Sequence, residues 1–417
     1  MSNGITGARL GVYLREQIVG HLWLDERQRF IFQYDSAWLD GPGNRALSLA
    51  LPLRREPYAE DLGRPFFANL LPEAQIRIMI ARRLGISERN DFVLLERIGG
   101  ECAGAVSVLP EGTTPQEVPG YRELNKSALH KIVAGLSRKP LMAGEKGVRL
   151  SLAGAQNKLP IYMDNDRIFL ATGNAPSTHI LKPPIQGLEG TVMNEAYCMM
   201  LAGKLGLQVP EVSIRREPDL LFIVKRFDRE RSPEGKVLRI HQEDLCQALG
   251  VLPDRKYESE GGPALIQCFK LINKSSIRPA AERMALLHWI IFNVLIGNAD
   301  AHAKNLAILL TDPGPRLAPF YDLLCTKVYT DLTDKLAMKV GGENRPDWLQ
   351  ARHWKRLADD NAIKQHLVIR VLAQMIQDIV PKAEALATEF KDKYGPVDII
   401  DKIYTVIQKR VQKMKYP

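Results

Sequence analysis

The chain has 417 residues, 45% of them hydrophobic and 25% charged, a composition typical of a globular protein with room for two or three lobes. Its formal net charge of +9 permits contact with nucleic acid or an acidic partner but does not by itself indicate either. No apolar run approaches the roughly 20 residues that span a membrane, and the N-terminal stretch lacks the apolar core of a signal peptide. We therefore expect a cytoplasmic protein without membrane contact.

The cysteines are scattered along the chain, and no two of them form a C-x-x-C pair. An odd number of isolated cysteines argues against a disulfide framework and against a cysteine-based zinc site. We expect free thiols in a reducing compartment. The five residues are Cys102, Cys198, Cys246, Cys268 and Cys325.

The first 110 residues predict a small α/β unit. Between residues 8 and 35, short runs alternate apolar and polar residues, which is typical of strands joined by turns. The stretch RPFFANLLPEAQIRIMIARRLG (64–85) predicts a loop that leads into an amphipathic helix. The Pro- and Gly-rich segment LPEGTTPQEVPGY (109–121) then predicts a boundary or an exposed loop.

A second unit, residues 111–227, predicts strands around one helix. NKLPIYMDNDRIFLATG (157–173) indicates a hairpin that turns at DND, and THILKPP (178–184) a strand ended by prolines. VPEVSIRR (209–216) and DLLFIVKRFDR (219–229) indicate two more strands.

Between these strands, NEAYCMMLAGKLG (194–206) predicts an amphipathic helix. Tyr197, Met200, Leu201 and Leu205 would share one face, and Gly206 would cap the C-terminal end.

Residues 228–417 predict mainly helices, so the chain as a whole indicates an α+β protein with a cleft between its halves. A short apolar segment, LAILL (306–310), indicates a strand within the helical half. The predicted helices are HQEDLCQALG (241–250), ALIQCFKLINKS (264–275), AAERMALLHWIIFNVLIG (280–297) and a helical C-terminus from about residue 353.

The segment NADAHAKN (298–305) places polar residues between two apolar runs, where unpaired burial would be costly. Asp300 and Asn305 are five residues apart, which in a helix would point them about 140° apart. In a loop both can turn toward one point, and Asp322 follows in the next loop, APFYDLLC (318–325). Two carboxylates and an amide suit Mg²⁺, which prefers oxygen ligands and shares them with phosphates.

These residues match the order that phosphoryl transfer by a protein kinase requires. One Asp orients the substrate hydroxyl, while an Asn five positions later and a downstream Asp hold the metal. Lys182, at the end of a strand, and Glu195, on the next helix, complete the set. Taken singly, the loop residues could be backbone caps and Lys182 a solvated lysine, but the combined order favours a kinase.

A phosphate cradle is less clear from motifs. VRLSLAGAQNKLP (148–160) is rich in small residues, but it fits neither G-x-x-x-x-G-K-[ST] nor G-x-G-x-x-G and alone would predict a plain turn. Ser151 lacks the G-x-S-x-G context of a hydrolase nucleophile. His302 has no neighbouring His, so a nucleotide or supporting contact is favoured over a metal ligand.

Over essentially its full length the chain resembles the HipA family of bacterial serine/threonine kinases, the toxins of HipBA-type toxin–antitoxin modules. The resemblance implies a two-lobed, kinase-like fold with a family-type N-terminal subdomain (1–110), a kinase N-lobe (111–227) and a helical C-lobe (228–417). The segments that carry it are FFANLLPE, SLAGAQNK, THILKPP, NEAYC, VKRFDR, HQEDLCQALG, KYESEGGP, NADAHAKN and PFYDLL.

The resemblance assigns roles to individual positions. Asp300 matches the catalytic aspartate, Asn305 and Asp322 match the Mg²⁺ ligands, and Lys182 matches the lysine that holds ATP phosphates. At the adenine hinge the family often has Glu where this chain has Lys225, which puts a side-chain contact there in doubt. The implied ATP-binding set is Ala153, Gly154, Ala155, Gln156, Asn157, Lys158, Lys182, Lys225, Arg226, Phe227, Gln242, His302, Ala303, Lys304, Asn305, Tyr321 and Asp322.

The resemblance also implies regulation and partners. Ser151 matches a serine whose autophosphorylation expels the phosphate-binding loop and silences the kinase. A HipB-like helix-turn-helix antitoxin would neutralise the toxin and bring it to operator DNA, in agreement with the basic C-terminus IQKRVQKMKYP (407–417). An aminoacyl-tRNA synthetase, such as glutamyl-tRNA synthetase, would be the protein substrate, and its phosphorylation would arrest translation and growth.

Two other functions remain open from the sequence. The chain could be a non-catalytic component of an antitoxin–DNA repressor complex, although the presence of all four kinase residues speaks against that. It could also be a phosphotransferase for small molecules, which the active-site residues alone do not exclude.

Overall fold

The structure is a computed structural model that describes residues 8–115, 120–145, 147–173 and 175–414. The last three residues of the basic C-terminal segment, and residues 116–119 of the predicted boundary loop, lie outside this part of the chain.

The strands are β1 Arg9–Leu14, β2 Gln17–Leu24, β3 Phe30–Tyr34, β4 Val106–Pro110, β5 Gly120–Leu124, β6 Leu159–Asp164, β7 Arg167–Thr172, β8 His179–Lys182, β9 Val212–Arg215, β10 Leu221–Lys225, β11 Arg229–Arg231, β12 Val237–Arg239, β13 Gln242–Asp244, β14 Ala307–Thr311 and β15 Gly314–Leu317.

The helices are α1 Ser36–Asp40, α2 Glu60–Ala68, α3 Ala74–Leu84, α4 Asp91–Ile98, α5 Lys126–Gly135, α6 Thr191–Lys204, α7 Leu245–Ala248, α8 Leu265–Ser275, α9 Pro279–Ile296, α10 Ala351–Asp360, α11 Gln365–Tyr394 and α12 Asp398–Met414.

The N-terminal unit is an antiparallel sheet of order β3-β2-β1-β4 with α2 and α4 packed against it. The predicted loop at residues 64–68 is wrong, because these residues form the second half of α2. Pro65 lies inside this helix, where a proline removes one helical hydrogen bond, and burial of Phe66 and Phe67 in the core offsets that cost. The helix predicted to follow begins at Ala74, after a turn.

A second antiparallel sheet has the order β5-β7-β6-β8-β10-β9. Its β6–β7 hairpin turns at residues 164–166, as predicted, with Asn165 in the left-handed region at φ 51°. The strands predicted from THILKPP, VPEVSIRR and DLLFIVKRFDR are β8, β9 and β10. This sheet and the N-terminal sheet share one hydrophobic core, which continues from Leu10 to Leu221 across residue 110. The domain boundaries at residues 110 and 227 stay predictions.

Helix α6 lies behind this sheet, and its predicted one-sided burial is wrong. Residues 191–199 are all buried, whereas Met200, placed on the apolar face by the sequence, is only partly buried. The helix contacts β9 and β10 on one side and α11 and α12 on another, so almost every position meets protein.

The C-terminal half is mainly helical, as predicted, and is built around α9. By length and composition α9 is the described helix that could cross a membrane, but its C-terminal part, residues 286–296, is buried against α8, α11 and α12. It therefore has the surroundings of a core helix.

One predicted helix of this half, residues 241–250, is wrong in its first part. Residues 242–244 form strand β13, which pairs with β14, the strand predicted from LAILL. Only the short helix α7 follows, capped by Asp244, whose side chain accepts from the Gln247 N–H at 2.9 Å. Capping by an acidic residue at this position stops the helix from extending backward into HQE.

Candidate active site

The loop between α9 and β14 contains the NADAHAKN segment. Helix α9 ends at Gly297 in the left-handed conformation, φ 74°, which turns the chain out of the helix. Asn298 donates to Asn293 Oδ1 at 2.7 Å and accepts from the Asp300 N–H at 3.1 Å. Asn298 therefore links the end of α9 to the backbone of Asp300 and helps to fix the loop that carries this aspartate.

Asp300 lies in this loop, and 46% of its side chain is exposed. Its Oδ1 atom accepts a hydrogen bond from the Tyr257 hydroxyl at 2.6 Å and lies 3.8 Å from His302 Nε2. Burial lowers the pKa of His302, which keeps its imidazole neutral near pH 7. Among the described residues, no hydrogen bond engages the second carboxylate oxygen, Oδ2.

Lys182 joins the two lobes of the site. Its ammonium lies 2.6 Å from Glu195 Oε1 and 2.8 Å from Asp322 Oδ1, and the residue is buried. Burial alone would lower the pKa of Lys182, but the two carboxylates outweigh it and raise the pKa overall. The strand lysine, helix glutamate and loop aspartate, chosen from their order in the sequence, are in direct contact.

Asp322 and Asn305 are adjacent in space, with Asn305 Nδ2 3.2 Å from Asp322 Oδ2. Asp322 has φ 59°, an unusual backbone conformation for a residue with a side chain and one often found at functional positions. Burial would raise the pKa of Asp322, but Lys182 lowers it overall and keeps the carboxylate ionised. One carboxylate and one amide oxygen suit a Mg²⁺ ion that completes its shell with water and phosphate.

The predicted phosphate-binding loop lies beside this group and against the N-terminal unit. Ser151 is fully buried, and its hydroxyl donates to the Leu70 carbonyl at 2.8 Å. The Gly154 carbonyl accepts from the Glu73 N–H at 3.2 Å. Gly154 has φ 111°, a backbone conformation that residues with a side chain rarely adopt, which favours glycine at this position.

Within the same loop, Lys158 Nζ donates to the Ala153 carbonyl at 2.5 Å. Burial, together with the nearby Lys182, lowers the pKa of Lys158 to about 8. Ala155 is exposed, and the Asn157 Oδ1 atom is buried without a hydrogen-bond partner in the described structure. In the described structure, the loop therefore contains an amide oxygen without a hydrogen-bond partner, one residue before the lysine that would face phosphate.

The predicted adenine hinge is only partly available to a ligand. Lys225 is exposed and pairs with Glu211 at 3.0 Å. The Arg226 guanidinium is buried in ion pairs with Glu101 at 3.0 Å and Asp228 at 2.8 Å. The Arg226 side chain is thus committed to a structural network, which leaves its carbonyl as the group that could meet adenine.

The remaining hinge neighbours form an aromatic and amide wall. Phe227 packs against Tyr321, with ring centroids 5.4 Å apart. Tyr321 in turn donates its hydroxyl to the Lys304 carbonyl at 2.6 Å. The Gln242 amide lies 3.5 Å from Asp228 Oδ2, and its Oε1 atom is buried with no hydrogen-bond partner among the described residues.

Lys304 has a structural surrounding that the sequence did not predict. Its buried ammonium contacts Asn69 Oδ1, Asp244 Oδ2 at 3.2 Å and Glu73 Oε1 at 3.4 Å. These contacts occupy the ammonium, so the side chain supports the loop. The preceding residue, Ala303, is fully buried. The predicted ATP contact of Lys304 stays a prediction, and its side chain would have to meet ATP while held in these ion pairs.

The sequence reasoning assigned no role to Glu73, Lys256 or Tyr257. Glu73 pairs with both Lys304 and Lys256, and Tyr257 touches Asp300. All three lie in the FFANLLPE and KYESEGGP segments, which supported the family resemblance without a stated function. Polar residues in otherwise recognisable segments were the signal that could have drawn attention to them.

Comparison with known proteins identifies the family of the chain. Family models described as the HipA-like C-terminal domain and the HipA N-terminal domain match residues 150–383 and 10–109. The chain is 43% identical to a putative kinase, Y4mE, of Sinorhizobium fredii over 92% of each chain. It is 31% identical to the serine/threonine-protein kinase toxin HipA of Shewanella oneidensis, over 90% of this chain and 88% of the relative.

The fold is similar to a solved structure of Shewanella oneidensis HipA in complex with HipB and its operator DNA. The TM-score is 0.84 at 29% sequence identity, covering 97% of each chain. The predicted α+β, kinase-like, two-lobed fold is confirmed by this similarity. Together with the two matched domains, it shows that the chain belongs to the HipA family of serine/threonine kinase toxins.

Proposed function

We propose that this protein is a Mg-ATP-dependent serine/threonine protein kinase that acts as the toxin of a type II toxin–antitoxin system in the cytoplasm. The contact of Lys182 with both Glu195 and Asp322 carries the proposal. A kinase needs this lysine fixed by the helix glutamate and close to the metal-binding aspartate before it can bind ATP productively.

Each group of residues in the cleft has a separate role in the proposed phosphoryl transfer. Asp300 accepts a hydrogen bond from the acceptor hydroxyl and so orients it, while Lys182 and Lys158 present positive charge to the ATP phosphates. Asn305 and Asp322 would hold Mg²⁺, which when bound neutralises charge on the phosphates. The wall formed by Phe227 and Tyr321 provides an apolar surface for the base.

The buried position of the Ser151 hydroxyl supports the proposal that phosphorylation of Ser151 inactivates the kinase. Ser151 is fully buried, and its Oγ atom is held by the Leu70 carbonyl. A phosphoserine carries about −1.5 to −2 charges and cannot remain in a buried site next to a carbonyl oxygen. Phosphorylation therefore requires the loop to move away from the Leu70 carbonyl, and this movement removes Gly154 and Lys158 from the nucleotide site.

The partners of this protein are proposed from its relatives. The Shewanella oneidensis HipA structure contains HipB and operator DNA, and a HipB-like helix-turn-helix antitoxin with operator DNA is the corresponding assembly here. The net charge of +9 is compatible with association with DNA in that complex. The protein substrate is an aminoacyl-tRNA synthetase such as glutamyl-tRNA synthetase, whose phosphorylation stops translation and growth.

The test is intact-mass analysis and phosphopeptide mapping after incubation with Mg-ATP, starting from phosphatase-treated protein. Phosphate on Ser151 of the wild type and none on Asp300→Asn supports the kinase and its self-inactivation together. If the unmodified wild type gains no phosphate and labels none of the synthetases supplied, the non-catalytic repressor role takes precedence. Transfer to an aminoglycoside or sugar but not to protein would instead show a small-molecule phosphotransferase.

A further inference from the structure

The hydrogen bond between Tyr257 and Asp300 has no part in the roles assigned above. The Tyr257 hydroxyl donates to Asp300 Oδ1 at 2.6 Å, and its ring packs edge-on against His302 with centroids 5.3 Å apart. Burial and the Asp300 carboxylate both raise the pKa of Tyr257, so the phenol remains protonated and continues to donate. Only one of the two carboxylate oxygens of Asp300 is engaged in this way.

The segment that carries Tyr257 is held in place by its own backbone. Gly262 donates its N–H to the Tyr257 carbonyl at 2.9 Å. A Cβ atom at Gly262 would lie 2.1 Å from the Arg255 carbonyl oxygen and 2.7 Å from that of Tyr257. No side chain fits there, so glycine allows the turn to close directly behind Tyr257.

Both neighbours of Tyr257 in the chain are anchored as well. On one side, Lys256 pairs with Glu73 at 2.9 Å. On the other, the Glu258 N–H donates to the Ala337 carbonyl at 3.1 Å, and the Glu258 carboxylate accepts from the Lys339 N–H at 2.6 Å. A tyrosine whose two chain neighbours are both anchored is suited to fix the position of the Asp300 side chain.

We propose that Tyr257 is a positioning residue for the phosphoryl-transfer reaction. By occupying Oδ1 it fixes the carboxylate rotamer of Asp300 and leaves Oδ2 directed to the hydroxyl of the acceptor serine or threonine. This inference rests on the proposed kinase function, because it assigns Tyr257 a task in that same reaction. His302 assists by packing against the ring and does not itself hydrogen-bond to Asp300.

The test uses Tyr257→Phe, which removes the hydroxyl and keeps the ring. Self-phosphorylation is followed at increasing Mg-ATP, giving a saturating rate constant and a half-saturating ATP concentration. Loss of a hydrogen bond to a charged group predicts a saturating rate lower by roughly ten- to a hundredfold. The half-saturating ATP concentration should stay unchanged, because Tyr257 acts on the acceptor side of the reaction.

Tyr121→Phe is the matched control. It also loses one phenolic hydrogen bond, from Tyr121 to the Pro176 carbonyl at 3.0 Å, but lies on the edge strand β5. Wild-type rates in Tyr257→Phe overturn the inference. So does a faster rate, which would show that the tyrosine competes with the acceptor hydroxyl.

A second measurement does not depend on activity. Hydrogen exchange of the amides at residues 298–305 should be several-fold faster in Tyr257→Phe than in the wild type, and unchanged in Tyr121→Phe. If the wild type incorporates no phosphate, the proposed function fails, but the exchange comparison still tests whether Tyr257 fixes the Asp300 loop. Identical exchange in the wild type and Tyr257→Phe overturns the inference on its own.

Discussion

The Glu73 carboxylate of the N-terminal unit lies 3.4 Å from the Lys304 ammonium in the loop that carries Asp300. Glu73 also pairs with Lys256 at 2.9 Å, on the segment that carries Tyr257. One carboxylate thus links the N-terminal unit to both segments that surround Asp300, the proposed catalytic residue. The N-terminal unit is therefore part of the support of the active site.

Replacement of this carboxylate should destabilise the protein in a pH-dependent way. Burial alone would raise the pKa of Glu73, but Lys304 and Lys256 outweigh it and lower the pKa to about 2. A lowered folded-state pKa stabilises the fold above the ordinary glutamate pKa, and that stabilisation is lost as pH falls toward 2. Glu73→Gln should lose about 1–3 kcal/mol at pH 7, measured by urea unfolding.

The difference between wild type and Glu73→Gln should shrink progressively below the ordinary glutamate pKa. Glu211→Gln is the control, since the Glu211 side chain is exposed in its pair with Lys225. A difference that stays constant down to the lowest pH at which the protein folds would contradict the electrostatic account.

Loss of Lys182 should abolish productive nucleotide binding. Lys182→Met removes the ammonium that lies between Glu195 and Asp322 and leaves Glu195 buried without its partner. Burial already raises the pKa of Glu195, so this carboxyl should take up a proton in the variant. We expect the rate of self-phosphorylation to fall roughly a hundredfold or more.

The matched control for this change is Lys204→Met, which removes an exposed lysine paired with Glu389 on the surface. It should retain wild-type activity and ATP affinity. Activity within a factor of a few of wild type in Lys182→Met would count against a kinase-type site.

Lys158 should make nucleotide affinity depend on pH near 8. Its pKa is lowered to about 8, so the ammonium is charged below this pH and neutral above it. A charged lysine attracts phosphate, and we therefore expect a non-hydrolysable ATP analogue to bind more weakly at pH 9 than at pH 7. Isothermal titration in buffers of different ionisation enthalpy should also detect proton uptake on binding at pH 9.

Lys158→Met should bind the analogue weakly at both pH values, with no proton uptake assigned to this residue. The same pH dependence in wild type and variant would show that another group is responsible.

The buried ion network around Glu101 should be among the most sensitive parts of the fold. Glu101 is fully buried and lies 3.0 Å from Arg226 and 2.9 Å from Arg229. Its removal leaves two buried guanidinium groups without one of their negative partners. Removing one partner of a buried ion pair typically lowers the free energy of unfolding by about 3–5 kcal/mol. Glu101→Ala should therefore be strongly destabilised or accumulate as insoluble protein.

Glu123→Ala is the corresponding surface change, since Glu123 and Arg167 form a long, exposed pair at 3.8 Å. It should alter the free energy of unfolding by no more than about 0.5 kcal/mol. Comparable stability of the two variants would show that the buried network is not a source of stability.

The order of the kinase residues could be predicted from the sequence, because each stands at a recognisable junction. Lys182 ends a strand bounded by prolines, and Asp300 and Asn305 interrupt two apolar runs. Such local contrasts are visible in one dimension. The structure brings Lys182, Glu195 and Asp322 into contact, as kinase chemistry requires.

The support of that site could not be predicted, because it depends on contacts between residues far apart in the chain. Glu73 and Lys304 are separated by more than two hundred positions, and no periodicity links them. Strand β13 was missed for a related reason, since its place is set by pairing with β14. Burial of the Arg226 side chain likewise follows from Glu101, a residue of the N-terminal unit.

The ion pair between Glu73 and Lys304 connects the two regions of the chain that match family models. Residues 10–109 and 150–383 match two different family models, yet one carboxylate that pairs with Lys304 belongs to the first region and the lysine to the second. A fragment consisting of the second region alone would expose Leu150 and Ser151 and leave Lys304 short of a counter-ion. The two regions thus share a hydrophobic core and an ion pair, and we expect them to fold as one unit.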